Sequence, residues 1–212
     1  MDMKNLPNML TAFRIAIVPA VILFMFIPMD WARWIALFLF ILAAVTDFFD
    51  GYLARKHDVQ SELGALLDPI ADKFLVLATL LMLIAVGTLD GIHVIAAIVI
   101  LGREILVAGL REFLAGSSVK LPVTMLAKWK TTIQMVAIGF LIVGPAGSSV
   151  VPGSLWIGLF GIWAAAIITA ITGYQYVEQG LASILKKDAA GAPAGASVQA
   201  NTETTDTDTP AS

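Results

Sequence analysis

Asp47-Phe48-Phe49-Asp50-Gly51-Tyr52-Leu53-Ala54-Arg55, followed eight residues later by Gly64, Asp68 and Asp72, is the stretch on which the reading of this chain turns. It puts four carboxylates and a guanidinium where two long apolar runs meet. Ionisable groups at such depth are costly to keep in a membrane, so they mark a functional site by default. Asp47 and Asp50 are three apart and Asp68 and Asp72 four apart, so each pair shares one face of a helix. The connecting segment Lys56–Leu63 is short, which predicts two antiparallel helices whose acids converge at one membrane edge.

Working outward, the chain of 212 residues is 58% hydrophobic and only 14% charged, with a mean hydropathy of +0.87. Soluble domains average about 25% charged residues, and here the apolar residues come in runs long enough to cross a bilayer. The expected fold class is therefore an all-α integral membrane protein of six transmembrane helices with an N-terminal interfacial segment. The spans are placed at about 12–27, 33–55, 66–86, 92–113, 131–143 (with a helical lead-in from Val123) and 155–177. Residues 1–11, with a turn at Leu6-Pro7-Asn8, are read as lying on the surface. No signal-peptide pattern is present, so the first run is read as retained. With no cysteine and only His57 and His93, disulfides, thiolate metals and histidine-held metals are not expected.

Lysine and arginine set the orientation. With the N-terminus inside, Lys4, Arg14, Arg55, Lys56, Arg111, Lys120, Lys128, Lys130, Lys186 and Lys187 all fall on the inner side, against Arg33 alone outside. Both termini are then cytoplasmic. The formal charge of −3 misleads, since Asp188, Glu203, Asp206 and Asp208 lie in a tail without bases. Residues 1–187 are read as one membrane domain and 188–212 as a disordered, low-complexity tail.

Depth bears on the chemistry. Asp47 lies 14 residues from Arg33, roughly 21 Å along a helix, and Asp72 lies 15 from Gly87, roughly 22 Å. Both fall in the inner third of a ~30 Å core, where a lipid headgroup and a soluble reagent can meet. Two like charges about 4 Å apart repel by about 4 kcal/mol at an effective dielectric near 20, so the acids either protonate or bind cations. All-oxygen donors suit hard ions such as Mg²⁺ or Mn²⁺, and a pair of such ions can neutralise a diphosphate and stabilise a leaving oxygen. Gly51, Ala54 and Gly64 permit close approach, and Arg55 can fork onto a phosphate or carboxylate. For any single acid there is a plainer reading, an interface charge or, for Asp68 ahead of Pro69, a helix N-cap. Four together favour metal or proton handling.

At eight positions, Asp47, Asp50, Gly51, Ala54, Arg55, Gly64, Asp68 and Asp72, the chain resembles the CDP-alcohol phosphotransferase family, and the likeness extends over residues 1 to about 185. The resemblance implies attack of a hydroxyl on the phosphorus of a CDP-linked substrate with loss of CMP. It implies Asp47, Asp50 and Asp68 as main ligands of two metal ions, and Asp72 as general base that also touches a metal. It implies Gly51, Ala54, Arg55 and Ser61 as contacts of the CDP moiety. Asn5–Arg14, Arg103-Glu104-Ile105, Leu110–Phe113 and Lys128–Thr131 with Gln134-Met135 are similar to the bacterial phosphatidylglycerophosphate synthase branch. That branch implies CDP-diacylglycerol as donor, glycerol 3-phosphate as acceptor, Mg²⁺ or Mn²⁺ (two ions), a homodimer and the bacterial inner membrane with its lipids. No nucleic acid is expected as a partner.

An anionic acceptor calls for cations. Arg103 and Arg111 are eight apart on one face of span four, and Lys128 and Lys130 open span five, so all four are candidate acceptor-phosphate contacts. Arg111 and the two lysines can equally be positive-inside residues near lipid phosphates, and Arg103 a structural partner of Glu104. Asn8 and Thr11 are candidate donor contacts or helix caps. Trp156 and Trp163 are read as packing and interface anchors. Transfer to a cardiolipin, serine or inositol-phosphate acceptor stands as the alternative within the family. A cation or proton transporter is the alternative outside it, with no matching acids toward the outer side.

Overall fold

A proline and a glycine explain two of the helix ends. The computed structural model describes the backbone of residues 6–57, 62–115 and 125–191, and the side chains of residues 13–46, 70, 73–112 and 129–182. The described residues form six α-helices: α1 (Leu6–Phe26), α2 (Asp30–His57), α3 (Glu62–Ala85), α4 (His93–Ala115), α5 (Met125–Val143) and α6 (Ser154–Gly191), with a 3₁₀ segment at Gly144–Ser149. The expected turn at Leu6–Asn8 is instead the first turn of α1. Pro7 explains it, because a proline in a first turn lacks only an N–H that would have had no intrahelical partner. α3 stops where Gly87, at φ +69°, takes the left-handed conformation. Gly87 N–H donates to the Ile84 carbonyl and Thr88 N–H to that of Leu83, both at 3.0 Å, the pair of bonds of a Schellman stop.

α3 begins at Glu62, so Asp68 is the seventh residue of the helix and the N-cap reading of Asp68 is overturned. α6 runs past Val177, where the sixth span was expected to end, and four residues into the stretch read as tail. Residues 192–212 lie outside the described residues. Three stretches are long and apolar enough to cross a membrane among the described residues: His93–Glu112, Trp129–Ser149 and Ser154–Ala182. Phe13–Phe26 and Lys73–Ala85 are shorter apolar stretches.

α6 packs along α5 and α4, α1 packs on both α2 and α3, and α2 meets α5. Glycine allows α6 its close approaches. A Cβ on Gly161 would come within 2.8 Å of the Ala137 Cβ on α5, and one on Gly180 within 2.6 Å of Leu110 Cδ2 on α4. Buried Val18, Phe40, Leu80, Ile100, Ile138 and Ile162, one from each helix in turn, belong to one continuous apolar core. Polar ties close the end opposite the acids. Arg33 donates to Thr88 Oγ1 at 3.2 Å and to the Ile142 carbonyl at 3.1 Å, joining α2 to the α3–α4 turn and to the C-terminus of α5. Trp163 Nε1 donates to His93 Nδ1 at 3.0 Å, joining α6 to α4.

Candidate active site

The eight motif positions fall on two helices. Asp47, Asp50, Gly51, Ala54 and Arg55 stand on α2, and Gly64, Asp68 and Asp72 on α3. Their side chains lie outside the described residues, as do those of Asn8, Thr11, Ser61 and Lys128. Over the described residues α2 and α3 meet little, and α1 packs against both. That gives Arg14 of α1 a meaning the sequence did not supply. It is 1% exposed, on the helix that packs on both acid-bearing helices. A buried guanidinium needs anionic neighbours, and the carboxylate helices are the natural source. As a donor set, four carboxylates delivered in pairs by two helices fit a hard divalent ion, and the position of Asp68 inside α3 leaves it uncommitted to a helix cap.

A second polar cluster sits between α4, α5 and α6. Glu104 Oε1 accepts from Arg103 Nη1 at 3.2 Å and, at close range, from Lys130 Nζ. The side chains of Arg103 and Lys130 are 12% and 5% exposed, that of Glu104 22%. Lys73 of α3, next in sequence to Asp72, is near enough to act on Glu104 electrostatically. Two cations therefore bind one carboxylate among the described residues, and a third acts on it through space. Of the four candidate acceptor contacts, the structure brings together Arg103 and Lys130. Lys130, being buried, does not face lipid phosphates. Arg111 is exposed near the end of α4.

Two further groups complete the cluster. The Arg103 guanidinium carbon lies 5.5 Å from the centroid of the Tyr176 ring on α6. Gln134, one helical turn beyond Lys130, is 3% exposed, and its Oε1 is buried without a hydrogen-bond partner among the described residues. Sequence reasoning passed over Tyr176. The i, i+4 spacing of Lys130 and Gln134 was the available signal for Gln134.

Residues 4–172 match the model of the CDP-alcohol phosphatidyltransferase family, and the chain belongs to that family. Among curated proteins it is similar to one of Rickettsia bellii named CDP-diacylglycerol–glycerol-3-phosphate 3-phosphatidyltransferase. The two are 47% identical over 175 residues, covering 82% of this chain and 94% of the relative. A protein of the same name from Cereibacter sphaeroides is 41% identical over 211 residues, covering 84% and 96%. Another from Shigella flexneri serotype 5b is 35% identical over 186 residues, covering 85% and 97%.

Proposed function

We propose that the chain transfers a phosphatidyl group from CDP-diacylglycerol to glycerol 3-phosphate, releasing CMP and forming phosphatidylglycerophosphate. The names of its relatives support the reaction class. The observation that carries the acceptor is the cluster of Arg103, Lys130 and Lys73 on Glu104. So much buried positive charge beside the helix of Asp72 suits a dianionic phosphate monoester better than a neutral or lipid acceptor.

In this reading the acceptor phosphate rests on Arg103 and Lys130, with Arg111 and Lys128 at its approach. Its free hydroxyl then points to Asp72, which takes the proton as general base. The hydroxyl oxygen bonds to the phosphorus that carries the diacylglycerol, and the bond from that phosphorus to the CMP oxygen breaks. Gly51, Ala54, Arg55 and Ser61, with Asn8 and Thr11 from α1, hold the donor. Asp47, Asp50 and Asp68, with Asp72, would hold two ions, Mg²⁺ or Mn²⁺. Such ions, when bound, neutralise the diphosphate and the departing oxygen. Arg14 balances the carboxylates from α1.

The membrane arrangement belongs to the same proposal. Residues 1–187 form a domain of six spans in a bacterial inner membrane, both termini and the active site facing the cytoplasm. The active form is a homodimer. The test is CMP release by the purified full chain with CDP-diacylglycerol, Mg²⁺ or Mn²⁺, and a panel of glycerol 3-phosphate, inositol phosphate, serine and a lipid hydroxyl. Glycerol 3-phosphate should support release. Preference for another acceptor would overturn the branch, and no release with any hydroxyl would overturn the enzyme.

A further inference from the structure

An arginine side chain carries about 2 kcal/mol of rotamer entropy, which a ligand must offset unless the fold has already removed it. Arg103 has lost that freedom on two sides. Its stem lies against the backbone of α6 at Gly173, where an added Cβ would come within 2.7 Å of Arg103 Cγ and 3.7 Å of its Cβ. Its guanidinium faces the ring of Tyr176, one turn further along α6, at 5.5 Å. The ring is itself buried, 5% exposed, so it is a fixed surface. An aromatic face attracts the cationic charge but accepts none of the in-plane N–H donors. Glu104 takes Nη1, while Nε is buried without a hydrogen-bond partner among the described residues. An unfilled buried donor costs about 1–3 kcal/mol. A ligand oxygen would fill it.

From this we infer that Gly173 and Tyr176 are positioning residues, setting the Arg103 guanidinium to receive the phosphate monoester of the acceptor. The inference rests on the acceptor reading above. Both residues lie beyond residue 172, where the family match ends.

The test measures KM for glycerol 3-phosphate and for CDP-diacylglycerol separately, by CMP release from the full chain in mixed micelles. Gly173→Ala and Tyr176→Leu should each raise KM for glycerol 3-phosphate by about five- to tenfold, leaving KM for the donor unchanged. Tyr176→Phe keeps the ring face and should raise KM for glycerol 3-phosphate less than Tyr176→Leu does. In an Arg103→Met background, Tyr176→Leu should add nothing. The positioning role is overturned if Arg103→Met raises KM for glycerol 3-phosphate while Tyr176→Leu does not. It is overturned equally if Tyr176→Leu raises both KM values alike. If Arg103→Met itself leaves KM for glycerol 3-phosphate unchanged, the acceptor reading fails first. Should Gly173→Ala not fold, the two Tyr176 variants decide.

Discussion

Replacing Glu104 by Gln removes one negative charge and almost no volume. In the folded protein, Arg103 and Lys130 donate to the same oxygen, Glu104 Oε1. Two donors on one oxygen stand about 5 Å apart, and at an effective dielectric near 20 their charges repel by about 3 kcal/mol once the carboxylate is gone. Glu104 is 22% exposed, so water and counterions relieve part of this, and a net loss of about 2 kcal/mol is expected. For a chain of this length that corresponds to a fall in Tm of about 4–8 °C. The assay is thermal unfolding in detergent, with and without inorganic phosphate. Phosphate should restore more stability to Glu104→Gln than to the wild type, because it replaces the missing anion between the same two cations. Adding Lys130→Met should also bring back part of the loss, giving a coupling of about 1 kcal/mol or more in a double-mutant cycle. An unchanged Tm in Glu104→Gln, or strictly additive effects of the two substitutions, would refute the idea that one carboxylate holds two buried cations apart.

Three other outcomes test the remaining parts. Asp72→Asn should lower CMP release by about 10²–10⁴-fold while CDP-diacylglycerol still binds in a direct binding measurement; loss of both together would argue against a base. Gly161→Leu should cost about 1–3 kcal/mol by overpacking, since even a Cβ there would come within 2.8 Å of Ala137. Gly102→Ala, with nothing within 4 Å of the added carbon, should unfold no earlier than the wild type in the same melt.

What the sequence made legible is what depends on local pattern. Apolar runs gave the helices, and the spacing of the acids placed them on α2 and α3 before any fold was known. The misreadings have physical causes. Pro7 suggests a turn by composition, yet a first helical turn tolerates it. Asp68 before Pro69 looks like a cap, but α3 begins earlier, at Glu62. The charges Glu178, Lys186 and Lys187 end an apolar run without ending a helix, since a backbone rich in Ala, Leu and Lys continues it readily, and α6 reaches Gly191. Tyr176 and Gly173 could not be found this way. Their partner, Arg103, is more than sixty positions away, and nothing in the spacing of either segment pairs them. Arg14 shows the same limit, because its charge was legible and its burial between helices was not.

The two clusters also divide the work along the fold. The carboxylates stand on α2 and α3, which α1 joins, whereas the cations stand on α4 and α5, which α6 joins. Chemistry that every acceptor needs, namely metal binding and proton removal, is proposed for the first group, and recognition of the acceptor's charge and shape is proposed for the second. Lys73 links the groups electrostatically, since it stands on α3 beside Asp72 and acts on Glu104 of α4. Under that proposal, a change of acceptor calls for substitution on α4, α5 or α6 and none in the eight-position motif. The glycines of α6 make that second group sensitive to small changes. Their missing side chains let α6 lie against both α5 and α4, so a methyl group added at Gly173 would come within 2.7 Å of Arg103 Cγ and press that side chain aside. Under the proposed division, acceptor preference is the property of this fold most exposed to single substitutions on α6.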